Sequence, residues 1–325
     1  MHRRSLLAAP VILSASPLAA QGERPAGWPS RPIRVIVPFA PGGPSDIVAR
    51  SLAPALSQAL GQAVVVDNRA GSGGVVGTDA VAKAPADGHT FGLCSAGALA
   101  ISPTLLPSIP YDPLRDLVPV TMGVRVAEIL AVAPSLAARN LAELVALAKQ
   151  QPGKLNYSTS GNGSMPHLAM EALRAATGID VVHVPYRSGG QIVTAMLTGE
   201  TQLGWADLPI LMPQLTAGTL RAIVIGSEHR SSLFPDVPTT AEAGLPEVRA
   251  DNWHGFVAPA RTPPAIVSAM RDTIAAAMRN PAVAKVLEDQ GAEPGGDTPE
   301  AFGAFLRSEI TRWGAVVRSA NVKPD

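Results

Sequence analysis

Two loops rich in glycine and hydroxyl side chains are the segments best suited to bind a small anion. Residues 38–46 read PFAPGGPSD and residues 158–164 read STSGNGS. Each loop follows a predicted strand and opens a predicted helix, where unpaired backbone N–H groups and the positive end of the helix dipole attract negative charge. Neither loop contains lysine or arginine, and the phosphate-loop pattern G-x-x-x-x-G-K-[ST] is absent from the chain. A carboxylate is the favoured guest, although each loop taken alone could be only a turn with a helix cap.

Several single side chains near these loops have two readings each. His167 lies in the first turn of the helix after the second loop, where it could face a ligand, or cap and pack the helix. Asp207 follows a predicted strand and is either a cleft residue or a turn carboxylate. Trp205 packs in the core or lines a pocket. We interpret His183 as structural, and His254 as a loop residue without an evident partner.

Motifs for metal, nucleotide or nucleophile chemistry are absent. The one cysteine, Cys94, excludes an internal disulfide and a cysteine-based zinc site. It ends an apolar run, which favours a core position. The six histidines form no H-E-x-x-H, and no serine lies in G-x-S-x-G. The glycines at 71–77 miss the dinucleotide fingerprint, since Val76 stands where its last glycine is required.

Strand and helix signals alternate along the chain. A β-rich run precedes the first loop, and an apolar i, i+4 stripe after it predicts a helix capped by Ser45 or Asp46. Pro54 should bend this helix or delay its start. A similar strand, loop and helix recur at 154–177. The alternation predicts an α/β fold with mostly parallel sheets.

Length and charge narrow the function further. The 325 residues suggest two domains or one large one, and 46% hydrophobic residues supply an ample core. The 26 basic and 26 acidic residues balance, which argues against a nucleic-acid partner. Residues 1–21 are typical of an export signal, with Arg3 and Arg4 before a short apolar run and small residues at Ala19 and Ala20. We expect a soluble periplasmic protein, where a single cysteine avoids wrong pairing.

A set of short motifs runs through nearly the whole predicted mature chain. They comprise residues 28–46, 66–74, 82–88, 110–113, 148–154, 160–164 with His167 and Leu168, 183–186, 234–239, 242–246 and 291–294. In this order they resemble the tripartite tricarboxylate transporter substrate-binding proteins, also called Bug receptors. The resemblance implies a type II periplasmic-binding-protein fold. In such a fold two α/β lobes are joined by two crossing strands, and a ligand lies in the cleft between them.

The resemblance also implies lobe boundaries and ligand contacts. Lobe 1 would comprise residues 22–124 plus 250–325, and lobe 2 residues 125–249. Family members hold a carboxylate with backbone amides and hydroxyls of the two loops. The residues carried over as ligand-binding are Phe39, Gly42, Gly43, Ser45, Asp46, Ser95, Gly97, Ser160, Gly163, Ser164, His167, Tyr186 and Asp207. The loop expected after Cys94 has few hydroxyls, so a larger or less polar ligand is expected.

The expected function is a periplasmic receptor that captures a small organic carboxylate and delivers it to membrane permease subunits. Hinge closure would need no cofactor and no metal, and we expect a monomer. Two alternatives remain open at this point. One is a ligand-sensing module for a membrane sensor kinase, and the other is a two-lobed enzyme that uses Asp46 or His167 as acid or base.

Overall fold

The computed structural model describes residues 24–186 and 188–323. The predicted export signal lies outside the described residues. The strands are β1 (Ile33–Val37), β2 (Val64–Asn68), β3 (Thr90–Ser95), β4 (Leu117–Val132), β5 (Asn156–Thr159), β6 (Val182–Pro185), β7 (Leu203–Asp207), β8 (Arg221–Ile225), β9 (Asp251–Pro259) and β10 (Ala292–Pro294). The helices are α1 (Pro44–Leu60), α2 (Val75–Ala82), α3 (Ser102–Leu105), α4 (Leu141–Gln150), α5 (Met165–Thr177), α6 (Gly189–Thr198), α7 (Leu208–Thr216), α8 (Pro264–Met278), α9 (Pro281–Asp289) and α10 (Pro299–Ser319). Across these described ranges, no helix is long and apolar enough to cross a membrane.

The strands form one hydrogen-bonded order, β2-β1-β3-β9-β4-β7-β5-β6, with β8 and β10 also paired to β4. Strand β1 is parallel to β2 and β3, and β5 is parallel to β6 and β7. Strand β9 is antiparallel to both β3 and β4. The sheet therefore has a first half, β2-β1-β3-β9, and a second half, β7-β5-β6, which meet at β4. The predicted α/β class is confirmed. The expectation of mostly parallel sheets is wrong, because four strand pairs among the described residues are parallel and five, all involving β4 or β9, are antiparallel.

Strand β4 passes from one half into the other. Its stretch from Leu117 to Ala127 pairs with β9, and its stretch from Glu128 to Val132 pairs with β7. The chain crosses back near Ala250, whose carbonyl accepts a hydrogen bond from the Glu128 N–H at 3.2 Å. Two crossing segments thus lie side by side. The predicted lobe boundary at 124/125 falls inside β4, and the division into lobes stays a prediction.

Each half has its own buried core. In the first half, Leu52 of α1 and Phe91 of β3 pack with α8 on one face of the sheet, and Trp313 of α10 packs on the other. In the second half, Tyr157 of β5 and Trp205 of β7 are fully buried in one cluster. Trp205 is therefore a core residue, which decides between its two readings.

Two local expectations are wrong, and one of the two alternatives for Pro54 is excluded. Helix α1 begins at Pro44 with Gly43 as its N-cap, not with Ser45 or Asp46, because proline has the backbone angle that the first helical position needs. The helix starts ahead of Pro54 and runs through it, so Pro54 does not delay its start. His254 lies in the buried strand β9 rather than in a loop. The mixed sequence of β9 hides its strand character, which comes from pairing with neighbours on both sides.

Helix α10 is fastened to β9 by one buried carboxylate. Glu309 accepts hydrogen bonds from the indole N–H of Trp253 at 2.9 Å and of Trp313 at 3.0 Å, and it pairs with Arg312 at 2.8 Å. Burial raises the pKa of Glu309, but the hydrogen bonds and charge of Arg312 and the two indoles outweigh burial and lower it. The ionised form is therefore the one that the fold stabilises.

Glu309→Ala should lower the free energy of unfolding by about 3–5 kcal/mol, because it leaves buried donors and a cation without their acceptor. Urea unfolding measures this. Since the pKa is lowered in the folded state, the difference from the parent should be full at neutral pH and shrink as pH falls through that lowered pKa. Ser308→Ala on the exposed side of the same helix is the control. Equal losses in both variants would contradict the role of the Glu309 carboxylate.

Candidate functional site

The first loop is shaped by the carboxylate of Asp46. This side chain is only 3% exposed, and its Oδ2 accepts the Gly42 N–H at 2.9 Å. Its Oδ1 accepts Asn68 Nδ2 at 2.9 Å, and Asn68 also donates to the Phe39 carbonyl at 3.0 Å. Arg50 Nε reaches both oxygens. We infer that Asp46 holds the loop in place, because its oxygens are already engaged by the protein.

These contacts keep Asp46 charged. Burial raises its pKa, but the hydrogen bonds from Arg50, Gly42 and Asn68 outweigh burial and lower the pKa below its usual value. Gly42 has φ +87°, a left-handed angle that glycine adopts without strain. With Gly42 turned toward Asp46, the N–H groups of Gly43 and Ser45 donate no hydrogen bond to any residue that the structure describes. Both N–H groups lie at the N-terminus of α1, where they remain available as donors.

His254 of strand β9 also contacts the first loop. Its Nδ1 lies 3.1 Å from Ser45 Oγ, and the Phe39 ring meets the imidazole edge-to-face with centroids 6.3 Å apart. Burial lowers the pKa of His254 to about 4, so the ring is neutral at physiological pH. Reasoning from sequence missed this residue. Its signal, one histidine in the Asn-Trp-His-Gly run of β9, carries no recognisable periodicity.

The expected loop after β3 is not a loop. Ser95 is the buried last residue of β3, and Gly97 begins a π-helical turn. The Ser95 hydroxyl accepts the Ala98 N–H at 3.4 Å, which engages it within this turn. The glycine segment at 71–74 packs beside the first loop, since a Cβ built on Gly74 would lie 3.3 Å from the Phe39 ring.

The second loop is held by its own serine and histidine. Ser164 caps α5, donating through Oγ to the Gly161 carbonyl at 2.7 Å and accepting the His167 N–H at 3.4 Å. The Gly163 N–H donates to His167 Nδ1 at 3.0 Å, so that nitrogen carries no proton. His167 is buried and stacks on His183 with centroids 4.1 Å apart. His167 thus shapes the loop, and Ser160 is its exposed member.

Two further predicted ligand-binding residues, Tyr186 and Asp207, lie outside both loops. The Tyr186 ring packs against the core cluster around Ile129 and Leu208. Burial, together with nearby Glu200, raises the pKa of Tyr186 to about 12. Asp207 ends β7, and its Oδ1 accepts Asn252 Nδ2 from β9 at 3.0 Å. Asp207 is therefore bonded to the strand that also carries His254.

The second loop contacts elements of the first half although it belongs to the second. A Cβ built on Gly163 would lie 1.9 Å from a methyl carbon of Leu105, at the end of α3. Met165 and Leu168 of α5 share a hydrophobic cluster with Trp313 of α10. The second loop thus packs against the first half. Glycine at 163 is required both by this approach and by its φ of +70°.

A separate cavity of about 680 Å³ lies away from these loops. It is bordered by Lys83, Arg115 and Arg261, near the start of β3 and the end of β9. The carboxyl end of β3, at Ser95, is the opposite end of that strand. None of the predicted ligand-binding residues lines this cavity, so it is not part of the candidate site.

Residues 48–322 match the family model described as "Tripartite tricarboxylate transporter family receptor". The chain belongs to this family. The receptor is 42% identical over 297 residues to protein BugT of Bordetella pertussis, with 91% of each chain covered. The predicted family is thereby confirmed.

Solved structures confirm the type of fold. The R. palustris protein Rpa4515, solved with adipate, is 35% identical to the receptor with a TM-score of 0.82, covering 92% of this chain and all of that one. MatC (Rpa3494) from Rhodopseudomonas palustris, solved with bound malate, is 30% identical with a TM-score of 0.77, covering 89% of this chain and 100% of its own.

The enzyme alternative rests on Asp46 or His167 as acid or base. Both side chains are buried and bonded to the loops that they shape. Cys94 is fully buried, and burial raises its pKa to about 12, so its thiol is inert. Within residues 24–186 and 188–323, no group of three histidine, cysteine or acidic side chains could hold a metal ion. The arrangement fits binding by backbone amides.

Asp46→Ala should release the first loop, because Gly42 N–H and Asn68 lose their acceptor. Hydrogen exchange with mass spectrometry should show faster exchange in peptides covering 38–46 and unchanged exchange in peptides covering 158–164. Asp79→Ala, which removes an exposed ion pair with Lys83, is the matched control. Unchanged protection of the first loop would show that Asp46 does not hold it.

Proposed function

We propose that this receptor binds a small organic carboxylate in the periplasm, between the two halves of its sheet, and delivers it to the membrane permease subunits of its transporter. One observation carries the proposal above the others. Two helix N-termini from different halves, α1 and α5, present donor-rich loops without cationic side chains, and the second loop packs against the first half. The adipate and malate held by two relatives support the same chemistry.

Backbone N–H groups suit a carboxylate better than a phosphate here. The Gly43 and Ser45 amides offer fixed donors at the positive end of α1, and a hydrogen bond to a charged group contributes about 1.5–3 kcal/mol. Such donors lose little entropy on binding, because the loop is already ordered by Asp46 and Asn68. Ser160, Gly163 and Ser164 would supply the matching contacts from the second half.

A ligand that touches both loops favours the arrangement in which they are close. Its differential affinity for that arrangement shifts the population toward closure about the β4 and Ala250 crossing. The permease can then distinguish loaded from empty receptor by shape. This function requires no bond to be made or broken, so we propose a binding protein rather than an enzyme.

Thermal unfolding of the purified, refolded receptor tests the proposal. Adipate, malate and succinate are compared with their neutral diamides. Ligand at about 100 times Kd adds about 2.7 kcal/mol, which should raise the midpoint by roughly 5 °C. A shift with an acid and none with its diamide supports a carboxylate receptor. Equal shifts with acid and diamide, or no shift with any acid, would contradict it.

A variant with a larger side chain at Gly43 tests whether the backbone amides of the first loop bind the ligand. Gly43 has φ −78°, and a Cβ there meets only the Ala40 carbonyl at an ordinary 3.7 Å, so Gly43→Val should fold normally. Its side chain should obstruct the loop amides and weaken binding tenfold or more by titration calorimetry. Gly190→Ala, a position with open space around it, is the control. Parent-like affinity in Gly43→Val would remove the first loop from the site.

A further inference from the structure

A line of polar side chains connects the two loops. His254 and Asn252 are two residues apart on β9, so they point to the same face of the sheet. His254 contacts Ser45 and Phe39, so this face of the sheet is directed toward the first loop. Asn252 meets Asp207 at the end of β7. The face therefore runs from the first loop into the second half.

Asp207 also lies on the edge that carries the second loop. Strands β5 and β7 are parallel, with Ser158 opposite Gly204, so their carboxyl ends reach the same edge of the sheet. The second loop leaves β5 at this edge, and Asp207 is the last residue of β7 there. Asp207 and Asn252 thus lie on strands between those that carry the two donor-rich loops. We call these two residues the floor of the site.

Glu128 adds a second carboxyl to this floor. It lies directly opposite Asp207 in the β4–β7 register and is 0% exposed. Neither of its carboxyl oxygens accepts a hydrogen bond from any described residue. Burial raises the pKa of Glu128 well above its usual value, and the nearby charges of Asp207 and Asp251 raise it further. Burial and the neighbouring carboxyls therefore favour the protonated form of Glu128.

Asp207 is the more acidic member of the pair. Burial outweighs the hydrogen bond from Asn252 and the effect of the neighbouring Glu128 carboxyl, so the pKa of Asp207 is raised above its usual value, but less than that of Glu128. Among the described residues, no lysine, arginine or histidine forms an ion pair with either carboxyl. The cations near Asp251 are engaged elsewhere, since Arg249 pairs with Glu228 and Asp251, Arg312 pairs with Glu309, and Arg125 lies over the Phe305 ring. Ionising the half-buried Asp207 without a counter-ion is costly, and a ligand cation would offset that cost.

We propose that the Asp207–Glu128 pair accepts a protonated nitrogen of the ligand, so that the receptor prefers carboxylates that also carry an ammonium group. This inference rests on the proposed function and deepens it. The loops provide donors for the ligand carboxylate, and the floor between them provides acceptors. An ammonium group supplies three N–H donors for the carboxyl oxygens of the floor and a positive charge to balance their negative charge. A dicarboxylate without an amino group has no donor for these carboxyl oxygens and would contact only the loops.

Matched ligand pairs test this preference by titration calorimetry. L-aspartate is compared with succinate, and L-2-aminoadipate with adipate, since each pair differs only by the amino group. In the parent, the amino acid of at least one pair should bind tenfold or more tightly than its plain counterpart. Asp207→Asn keeps the shape and an acceptor for Asn252 but removes the charge. It should reduce that preference to about equal affinity or reverse it.

Asp180→Asn makes the same chemical change on an exposed surface residue and should keep the parent's preference. Unfolding midpoints without ligand check that both variants are folded. Equal or tighter binding of the plain acids by the parent, or an unchanged preference in Asp207→Asn, would overturn the ammonium subsite and leave the carboxylate receptor standing. No binding of any of the four acids would count against the proposed function and the subsite together.

Discussion

The backbone hydrogen bonds where the chain crosses between the halves are the constraint on which the rest of the structure depends. Glu128 donates its N–H to Ala250 and accepts the Gly226 N–H at 2.8 Å, and Gly226 in turn accepts the Ala250 N–H at 2.9 Å. Three segments far apart in sequence are tied within a few ångströms. Because buried backbone groups must be paired, this crossing fixes where β7 and β9 lie and so sets the spacing between the two halves of the sheet.

Around this crossing several polar side chains shape the backbone of the two loops. Asp46 orders the first loop, His167 orders the second, and His254 supports the first from the strand below. Polar residues are engaged internally, and main-chain amides are left to point outward. Under the proposed function, such a site would serve ligands of different length, because main-chain donors would recognise the carboxylate group that these ligands have in common. The proposed ammonium subsite would then set the specificity.

The fold class and both loops could be predicted from sequence, because strand–loop–helix units leave local signals of periodicity, glycine and capping. The roles of individual residues could not. Asp46 and His167 are correctly placed beside the loops, but only the three-dimensional bonds show that they face inward. Strand β9 has no local signal, since its pairing with β3 and β4 depends on residues more than a hundred positions away. The role of Glu128 could not be predicted either, because its partner Asp207 is distant in sequence and is brought opposite it only when β4 pairs with β7.

The discontinuous first half has a consequence for the order in which the protein can form during synthesis. Strand β9 and helix α10 complete that half, and both lie in the last quarter of the chain. The second half is continuous between its two crossings, so it can assemble on the ribosome while the first half still exposes one edge of β3 and one face of its core. The ligand-binding arrangement therefore forms late, and the nascent chain stays incompletely folded until its translation is nearly finished.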